Sequence, residues 1–241
     1  MNRLKHKTLA IIGGSSGIGL RVAEMAAQKG GSLVIAGRNE QRLAQARDRL
    51  TAFGVEVKTY PVDAHDAASL ADFFNQIGPI DHLVSMVGDV MGGGFMAADI
   101  ATIEHVIHSK FITNVLIGQL AGKKLTPGGS MVFTSGTGGR AQHACASYVG
   151  NLGINALVEG LAAELAPDIR VNAVAPTWTP TPFWRDVPSE QVLQTRRHFE
   201  SVIPLKRLAT IDELASAYIF LLENGFITGQ RLAVDGGIML D

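Results

Sequence analysis

The sequence contains a single cysteine, Cys145, among its 241 residues, so no disulfide can form within the chain and a reducing compartment is indicated. Neither sign of charge dominates: 21 lysines and arginines face 22 aspartates and glutamates, which excludes the basic field expected of a nucleic-acid-binding protein. No apolar run approaches the roughly 20 residues needed to cross a membrane, and no separate apolar signal region precedes the first strand pattern. The sequence therefore predicts a cytoplasmic protein that acts on a small molecule, with neither nucleic acid nor membrane as partner.

What the chain does contain is a regular alternation of strand and helix patterns. Segments typical of strands cover residues 8–13, 32–37, 56–62, 81–87, 130–135, 169–175 and 230–235. Patterns typical of helices cover residues 17–29, 39–53, 66–77, 100–125, 145–166 and 210–223. This alternation predicts an α/β fold, a Rossmann-type doubly wound parallel sheet of about seven strands with helices on both faces. Because no repeat, low-complexity tract or linker interrupts it, we expect one domain over residues 1–241.

A glycine cluster joins the first strand pattern to the first helix pattern, in the run Ile12-Gly13-Gly14-Ser15-Ser16-Gly17-Ile18-Gly19. Backbone N–H groups at a helix N-terminus bind anions, and the helix dipole favours negative charge there. Glycines let the chain turn sharply and let its backbone approach a ligand closely. We therefore predict a dinucleotide site, with the pyrophosphate held by Gly13, Ser15, Ser16, Gly17 and Ile18.

The end of the second strand selects between the two nicotinamide dinucleotides, because it meets the adenosine ribose about twenty residues past the glycines. An acid there accepts from the 2′-hydroxyl and repels a 2′-phosphate, but this chain has Arg38 and Asn39. Glu40 is close, yet it opens the next helix, where the dipole favours an acid. An arginine can bind a phosphate through two donors, so we predict NADP(H), with Arg38 and Asn39 as contacts. The alternative is that Arg38 is a solvated surface arginine.

Other features also lie at the predicted carboxyl ends of strands, where such sheets bind ligands. Asp63 follows the third strand, and it either accepts from an adenine amino group or caps the helix that begins near Asp66. Residues 91–95 form a glycine-rich loop after the fourth strand. Residues 176–188 hold four prolines, two tryptophans and a phenylalanine, which indicates either a lid over a small molecule or a hydrophobic patch under a long loop.

Taken together, these motifs resemble the short-chain dehydrogenase/reductase family over nearly the full chain. The glycine run matches that family's Thr-Gly-x-x-x-Gly-Ile-Gly loop, with Ile12 in place of threonine, and Asp63 matches its adenine-contacting aspartate. Residues 164–176 are close to its sixth-strand signature, and residues 227–230 with 234–237 match its C-terminal signature. The resemblance implies a Rossmann domain in a homodimer or homotetramer. It also implies cofactor contacts from Ala64, Val87, Gly88, Pro176 and, at the nicotinamide carboxamide, Thr181.

In that family the proton relay consists of a serine, a tyrosine, a lysine four residues after the tyrosine, and an asparagine on the preceding long helix. The tyrosine gives a proton to the carbonyl oxygen, and the lysine lowers the pKa of the tyrosine. Here the residue four after Tyr148 is Leu152. An alignment without a gap through this helix places Asn151 at the lysine position and Ser147 at the tyrosine position. The alternative keeps Tyr148 catalytic, since Ser135 precedes it by the family's usual interval.

The serine and the asparagine are displaced as well. Ser135 lies one residue before the aligned serine position, which is Gly136, and successive strand residues point to opposite faces. Lys110 occupies the asparagine position, so lysine and asparagine are exchanged between two helices, an arrangement similar to the ketoreductase domains of modular polyketide synthases. The alternatives are a partly buried Lys110 with its head at the surface, and Asn114, one turn further on, as the asparagine.

Two functions are compatible with this pattern. The first is an NADP(H)-dependent oxidoreductase that reduces a small carbonyl or related substrate through an atypical active site. Its candidate catalytic residues are Ser135, Tyr148, Lys110 and Asn151. The second is an NADP(H)-binding protein with little or no redox catalysis, because the phosphate-site positions match the family while the proton-relay positions do not. His105 and His108 are three apart on a predicted helix, but no third ligand stands out, so we expect no metal.

Overall fold

The computed structural model describes residues 3–137 and 145–240, which form a seven-stranded parallel sheet. Its strands are β1 Thr8–Ile12, β2 Ser32–Gly37, β3 Val57–Pro61, β4 Ile80–Ser85, β5 Leu125–Thr134, β6 Arg170–Pro176 and β7 Arg231–Val234. Across the sheet the order is β3-β2-β1-β4-β5-β6-β7, so the strand order reverses between β1 and β4. A reversal of this kind opens a crevice at the carboxyl ends of the two strands, where ligands of open α/β sheets bind.

Helices connect successive strands. They are α1 Gly17–Gln28, α2 Glu40–Thr51, α3 Ala67–Gln76, α4 Ile100–Ile107, α5 Thr113–Gly122, α6 Ala146–Glu164, α7 Ser189–Val202 and α8 Ile211–Glu223. A π-helical turn, His108–Ile112, joins α4 to α5, and a 3-10 turn, Pro182–Trp184, precedes α7. In the part of the chain that the structure describes, none of these helices combines the length and the apolar character needed to span a membrane.

Hydrophobic cores lie on both faces of the sheet. Side chains along β1 alternate between them: Leu9 and Ile11 pack in the core that α1 and α8 cover, whereas Ala10 and Ile12 pack in the core under α3, α5 and α6. The alternation follows from the two-residue period of a strand. The predicted fold class, a Rossmann-type parallel sheet covered on both faces, is therefore confirmed.

Some element boundaries differ from the sequence expectation. The predicted helix 100–125 is interrupted by the π turn and ends at Gly122. Asn114 stabilises the interruption, because its Nδ2 donates to the Lys110 carbonyl oxygen at 2.7 Å. Strand β5 begins at Leu125, five residues earlier than predicted. Helix α7 was not predicted at all: only four of its fourteen residues are apolar, Val192, Leu193, Phe199 and Val202, and none of its residues is fully buried.

Candidate active site

The carboxyl ends of the strands surround a cavity of about 570 Å³. Every residue predicted for the cofactor or for catalysis lines this cavity, with the exception of Asp63. The carboxylate of Asp63 accepts from the His65 backbone N–H at 3.0 Å. The alternative role predicted for Asp63 is wrong, because Asp66 itself caps α3, accepting from the Ala68 N–H at 2.9 Å. Contact between Asp63 and an adenine stays a prediction.

The glycine run forms a cradle at the start of α1. Gly13 has φ +87°, and a Cβ on it would lie 2.9 Å from the Met86 Cβ. A Cβ on Gly19 would lie 2.3 Å from the Gly13 carbonyl oxygen, so the helix packs directly on the turn. Ser16 is the N-cap residue of α1 but its side chain makes no capping bond, which leaves the first-turn N–H groups available to an anion. This cradle fits the pyrophosphate of a dinucleotide.

Three guanidinium groups, from Arg38, Arg42 and Arg185, line the same cavity. Arg185 Nη2 donates to the Ser16 Oγ at 3.4 Å, which joins the 176–188 loop to the glycine cradle. Partial burial lowers the pKa of Arg185, and repulsion from Arg42 and Arg38 lowers it further, although Asp186 opposes the change. Asn39 lines the cavity too, and its side chain caps α2 by accepting from the Arg42 N–H at 2.8 Å. A concentration of positive charge of this kind fits a phosphate group.

Arg42 and Arg185 were not predicted as cofactor contacts from the sequence. Arg42 lies in the first turn of α2, directly after the segment that carries Arg38. Its closeness to the end of β2 could therefore have identified it as a further phosphate contact. Arg185 is distant in sequence from the glycine run and reaches it only through the course of the loop. Thr181 also approaches the cradle: a Cβ on Gly17 would lie 3.7 Å from the Thr181 Cβ.

Lys110 lies on the π turn and is only 5% exposed. Its methylene chain packs against Gly150, where a Cβ would lie 2.8 Å from the Lys110 Cβ and 2.9 Å from its Cδ. Its Nζ donates to the Asn151 Oδ1 at 3.0 Å. Burial lowers the pKa of Lys110 from 10.5 to about 8, and the charge of Asp89 opposes this shift only in part. The ammonium predicted to reach in from the neighbouring helix therefore does meet Asn151, and its head is not at the surface.

Asn114, the second candidate for the relay asparagine, is buried and outside the cavity lining. Its Oδ1 accepts from the Ser85 Oγ at 2.7 Å, and its Nδ2 donates to the carbonyl oxygens of Lys110 and Val87, at 2.7 and 3.1 Å. These bonds use the polar atoms of its side chain. Asn114 therefore holds the π turn against the end of β4 and thereby positions Lys110.

Ser135 directs its hydroxyl at α6. Its Oγ lies 2.8 Å from the Asn155 Oδ1 and 3.2 Å from the Asn151 carbonyl oxygen, so its single proton is committed to that helix. The aligned serine position, Gly136, cannot hold a side chain in this arrangement, because a Cβ there would lie 2.6 Å from the Asn151 Nδ2. Asn155 was not predicted, although it lies one turn after Asn151 on the same helix. A contact between Ser135 and a substrate stays a prediction.

The two adjacent hydroxyl side chains at the start of α6, Ser147 and Tyr148, both line the cavity. The Ser147 Oγ accepts from the Met91 backbone N–H at 2.8 Å, which ties α6 to the glycine-rich loop after β4. Tyr148 is half-buried, and no group within residues 3–137 and 145–240 makes a hydrogen bond to its hydroxyl. Of the three hydroxyl groups considered for the relay, that of Tyr148 is therefore the one with no partner in the described structure.

Across the described ranges, no cluster of three or more histidine, cysteine, aspartate or glutamate side chains could hold a metal ion. The Asp89 carboxylate oxygen lies 2.8 Å from the His105 Nε2 and 3.4 Å from the His65 Nε2. His105, which was paired with His108 in the sequence analysis, therefore bonds to Asp89 instead.

Comparison with known proteins places this geometry in a family. A family model described as enoyl-(acyl carrier protein) reductase matches residues 13–239. The 3-oxoacyl-[acyl-carrier-protein] reductase of Mus musculus is 31% identical, over 97% of this chain and 98% of its own. The structure of the MalC reductase/Diels–Alderase of Malbranchea aurantiaca superposes with TM-score 0.87 at 26% identity, over 99% of this chain and 98% of that one. A small-chain dehydrogenase in complex with NADPH superposes with TM-score 0.80 at 25% identity, over 98% and 100% of the two chains. The chain belongs to the short-chain dehydrogenase/reductase family of oxidoreductases.

Proposed function

We propose that this protein is an NADP(H)-dependent oxidoreductase that reduces a small carbonyl compound, using Lys110 and Asn151 in exchanged positions. The observation that carries the proposal is the bond between the Lys110 Nζ and the Asn151 Oδ1, inside the cavity that also holds the glycine cradle and Tyr148. A buried ammonium is costly in a protein unless it is paired and hydrogen-bonded. Here it lies where a developing negative charge on oxygen would need it.

Three features support NADP(H) over NAD(H). No acid stands at the end of β2, where Gly37 is followed by Arg38 and Asn39. The three guanidinium groups of Arg38, Arg42 and Arg185 line one cavity and repel one another, so a bound phosphate would relieve that repulsion. The 25%-identical dehydrogenase structure is a complex with NADPH.

When bound, the reduced nicotinamide supplies a hydride to the carbonyl carbon. The chain has to supply a proton to the carbonyl oxygen, and Tyr148 is the residue proposed to give it. The Lys110 ammonium, which lines the same cavity, is the positive charge proposed to stabilise the product of that proton transfer. Asn151 orients Lys110 by accepting a hydrogen bond from its Nζ, and Ser135 bonds to α6 through Asn155.

A turnover experiment tests the catalytic part of the proposal. Rapid mixing of the protein and NADPH with a broad panel of aldehydes and ketones should oxidise the cofactor with at least one of them. Lys110→Ala and Tyr148→Phe should each lower the rate by about 10²–10⁴-fold, as expected for the loss of general acid catalysis. The matched controls are Lys123→Ala, an exposed lysine, and Tyr60→Phe, which lies outside the cavity lining. Unchanged rates in both active-site variants would refute the relay.

A binding experiment tests the cofactor. Calorimetric titration should show tighter binding of NADPH than of NADH, and Arg38→Ala should remove most of the difference. Arg196→Ala is the control, because that arginine is exposed on α7 and pairs with Glu200. Equal affinities of the wild-type protein for the two cofactors would end the NADP(H) assignment.

A second function, an NADP(H)-binding protein with little redox catalysis, has one specific observation in its favour. The family's serine position is Gly136, and the nearby Ser135 hydroxyl is bonded to Asn155 rather than unpaired. Under this function NADPH binds tightly but no carbonyl compound oxidises it. The rapid-mixing experiment above therefore separates the two functions.

We further propose that residues 1–241 act as one domain within a homodimer or homotetramer. Apolar side chains support this: Ile112 on the π turn is 46% exposed, and Val149 and Leu152 on the adjacent α6 are 44% and 46% exposed. Burial of these side chains against a second copy would remove apolar surface from water. Light scattering at micromolar protein should give a mass of two or four chains, and a monomer would contradict the proposal.

A further inference from the structure

A group of aromatic rings follows β6. The Trp178 ring is stacked on the Phe199 ring of α7, with 5.7 Å between centroids and 12° between planes. The Trp184 ring is tilted by 33° against the Trp178 ring, with 5.8 Å between their centroids. Phe183 meets Trp184 edge to face at 4.9 Å. We call these four rings, Trp178, Phe183, Trp184 and Phe199, the aromatic wall.

The aromatic wall belongs to the cavity, because all four of its residues line it. The indole of Trp184 is fixed within the wall, since its Nε1 donates to the Thr179 carbonyl oxygen at 2.9 Å. With its only donor satisfied, the Trp184 side chain offers a ligand apolar surface. The wall is not sealed within the fold: Phe183 remains 48% exposed.

We propose that the aromatic wall binds an uncharged planar aromatic ring of the substrate, so that the protein acts on aryl ketones or aryl aldehydes. The inference rests on the proposed function and narrows its substrate class. Aromatic rings prefer offset-stacked or edge-to-face contacts with other rings, and such contacts add to simple apolar burial. None of the four wall residues carries a charge, so the wall itself offers no charged partner to a carboxylate or phosphate on the substrate.

A saturated ring of the same size separates stacking from apolar burial. Cyclohexyl methyl ketone has the carbon skeleton of acetophenone and is at least as apolar, but it cannot stack. A wall that merely excludes water would bind the two ketones equally or favour the saturated one. Stacking on one ring predicts that acetophenone binds about threefold to tenfold more tightly.

The intrinsic tryptophan fluorescence of the protein can be used for this measurement. Its two tryptophans are Trp178 and Trp184, and both belong to the aromatic wall. Tryptophan emission therefore reports on the wall, without turnover, when each ketone is titrated into the protein saturated with NADP⁺. In Trp178→Leu the remaining Trp184 still reports, and the preference for acetophenone should fall to about one. Trp178→Phe, which keeps a ring, should restore it.

Phe226→Leu is the matched control, because Phe226 is fully exposed and outside the cavity lining, and it should keep the wild-type preference. Measurements of NADPH affinity and melting temperature identify any variant that fails to fold. If Trp178→Leu does not fold, Trp178→Phe is the variant compared with the wild-type protein. Equal affinities for the two ketones in the wild-type protein would overturn the inference while leaving the proposed function in place, provided that NADPH binds. If the wild-type protein binds neither NADPH nor NADH, the proposed function falls and the inference with it.

Discussion

Replacement of Lys110 by methionine is expected to stabilise the protein near neutral pH. The lysine side chain is 5% exposed and its pKa is lowered from 10.5 to about 8, chiefly by burial. Methionine has a similar length and no charge, so it can follow the same path across Gly150. A residue whose removal stabilises the fold has been retained for a reason other than stability, which is what the proposed relay requires.

The magnitude follows from proton linkage. Below pH 8 both states carry the proton, and the folded state bears the full cost of the buried ammonium. Between pH 8 and 10.5 the unfolded chain holds the proton and the folded chain has released it, so wild-type stability rises with pH across this window. The pKa of Lys110 differs by about 2.5 between the two states, and one pH unit corresponds to about 1.36 kcal/mol. The buried ammonium therefore lowers the free energy of unfolding at pH 7 by about 3 kcal/mol. Loss of the bond to Asn151 removes about 1 kcal/mol, so the expected net gain at pH 7 is about 2 kcal/mol.

Urea denaturation of wild type and Lys110→Met at several pH values between 7 and 10.5 measures the effect. The variant should be more stable at pH 7, and its advantage should shrink by about 3 kcal/mol as the pH approaches 10.5. The difference between the two proteins is the useful quantity, because the titration of all other groups cancels in it. Lys5→Met, at an exposed site, should show no such pH dependence. A variant that is less stable at pH 7, or a difference that does not change with pH, would refute the reasoning.

Three other substitutions have definite expected outcomes. Gly150→Ala places a methyl group 2.8 Å from the Lys110 Cβ, so turnover should fall by about 100-fold with NADPH affinity unchanged, as steady-state kinetics and calorimetry would show. Arg185→Ala should weaken NADPH binding by about tenfold and leave NADH affinity within about twofold, and equal losses for both cofactors would contradict a contact with the 2′-phosphate. Arg170→Met removes the guanidinium donor from the carbonyl oxygens of Leu221, Leu222 and Ile227, of which Ile227 keeps its bond from the Asn172 Nδ2. The melting temperature should therefore fall by roughly 5–10 °C in a thermal scan, and a fall of less than about 2 °C would contradict this.

The fold could be predicted because its signals are local and repeated. Each strand is a short apolar segment. In β1, the side chains of Leu9, Ala10, Ile11 and Ile12 point alternately into two cores, so every position is apolar. A continuous apolar run of this kind is typical of a strand in a sheet that is covered on both faces. The glycine cradle was predictable for the same reason, since strand, turn and helix follow one another directly. Helix α7 was missed because few of its residues are apolar and none is fully buried, so its sequence is mostly polar.

The direction of individual side chains in the site could not be predicted, because it depends on contacts between distant segments. The Ser135 hydroxyl bonds to Asn155, twenty residues further on, and this contact exists only once α6 packs beside β5. The π turn depends on the Asn114 side chain, which takes the Lys110 carbonyl oxygen out of the helical pattern. Alignment with family positions could indicate that Lys110 and Asn151 had been exchanged, but only their packing shows that the two side chains meet.

Lys110, Asn151 and Gly136 form one connected arrangement. Lys110 has glycine on both sides: a Cβ on Gly88 would lie 3.0 Å from its Cγ, and one on Gly150 would lie 2.8 Å from its Cβ. The Asn151 that accepts from Lys110 occupies the space that a side chain at Gly136 would need. Drift after a loss of catalysis gives no reason to keep a buried ammonium that costs about 3 kcal/mol, or to keep clear the space around it. This mutual dependence is the reason why we propose the oxidoreductase rather than the binding protein.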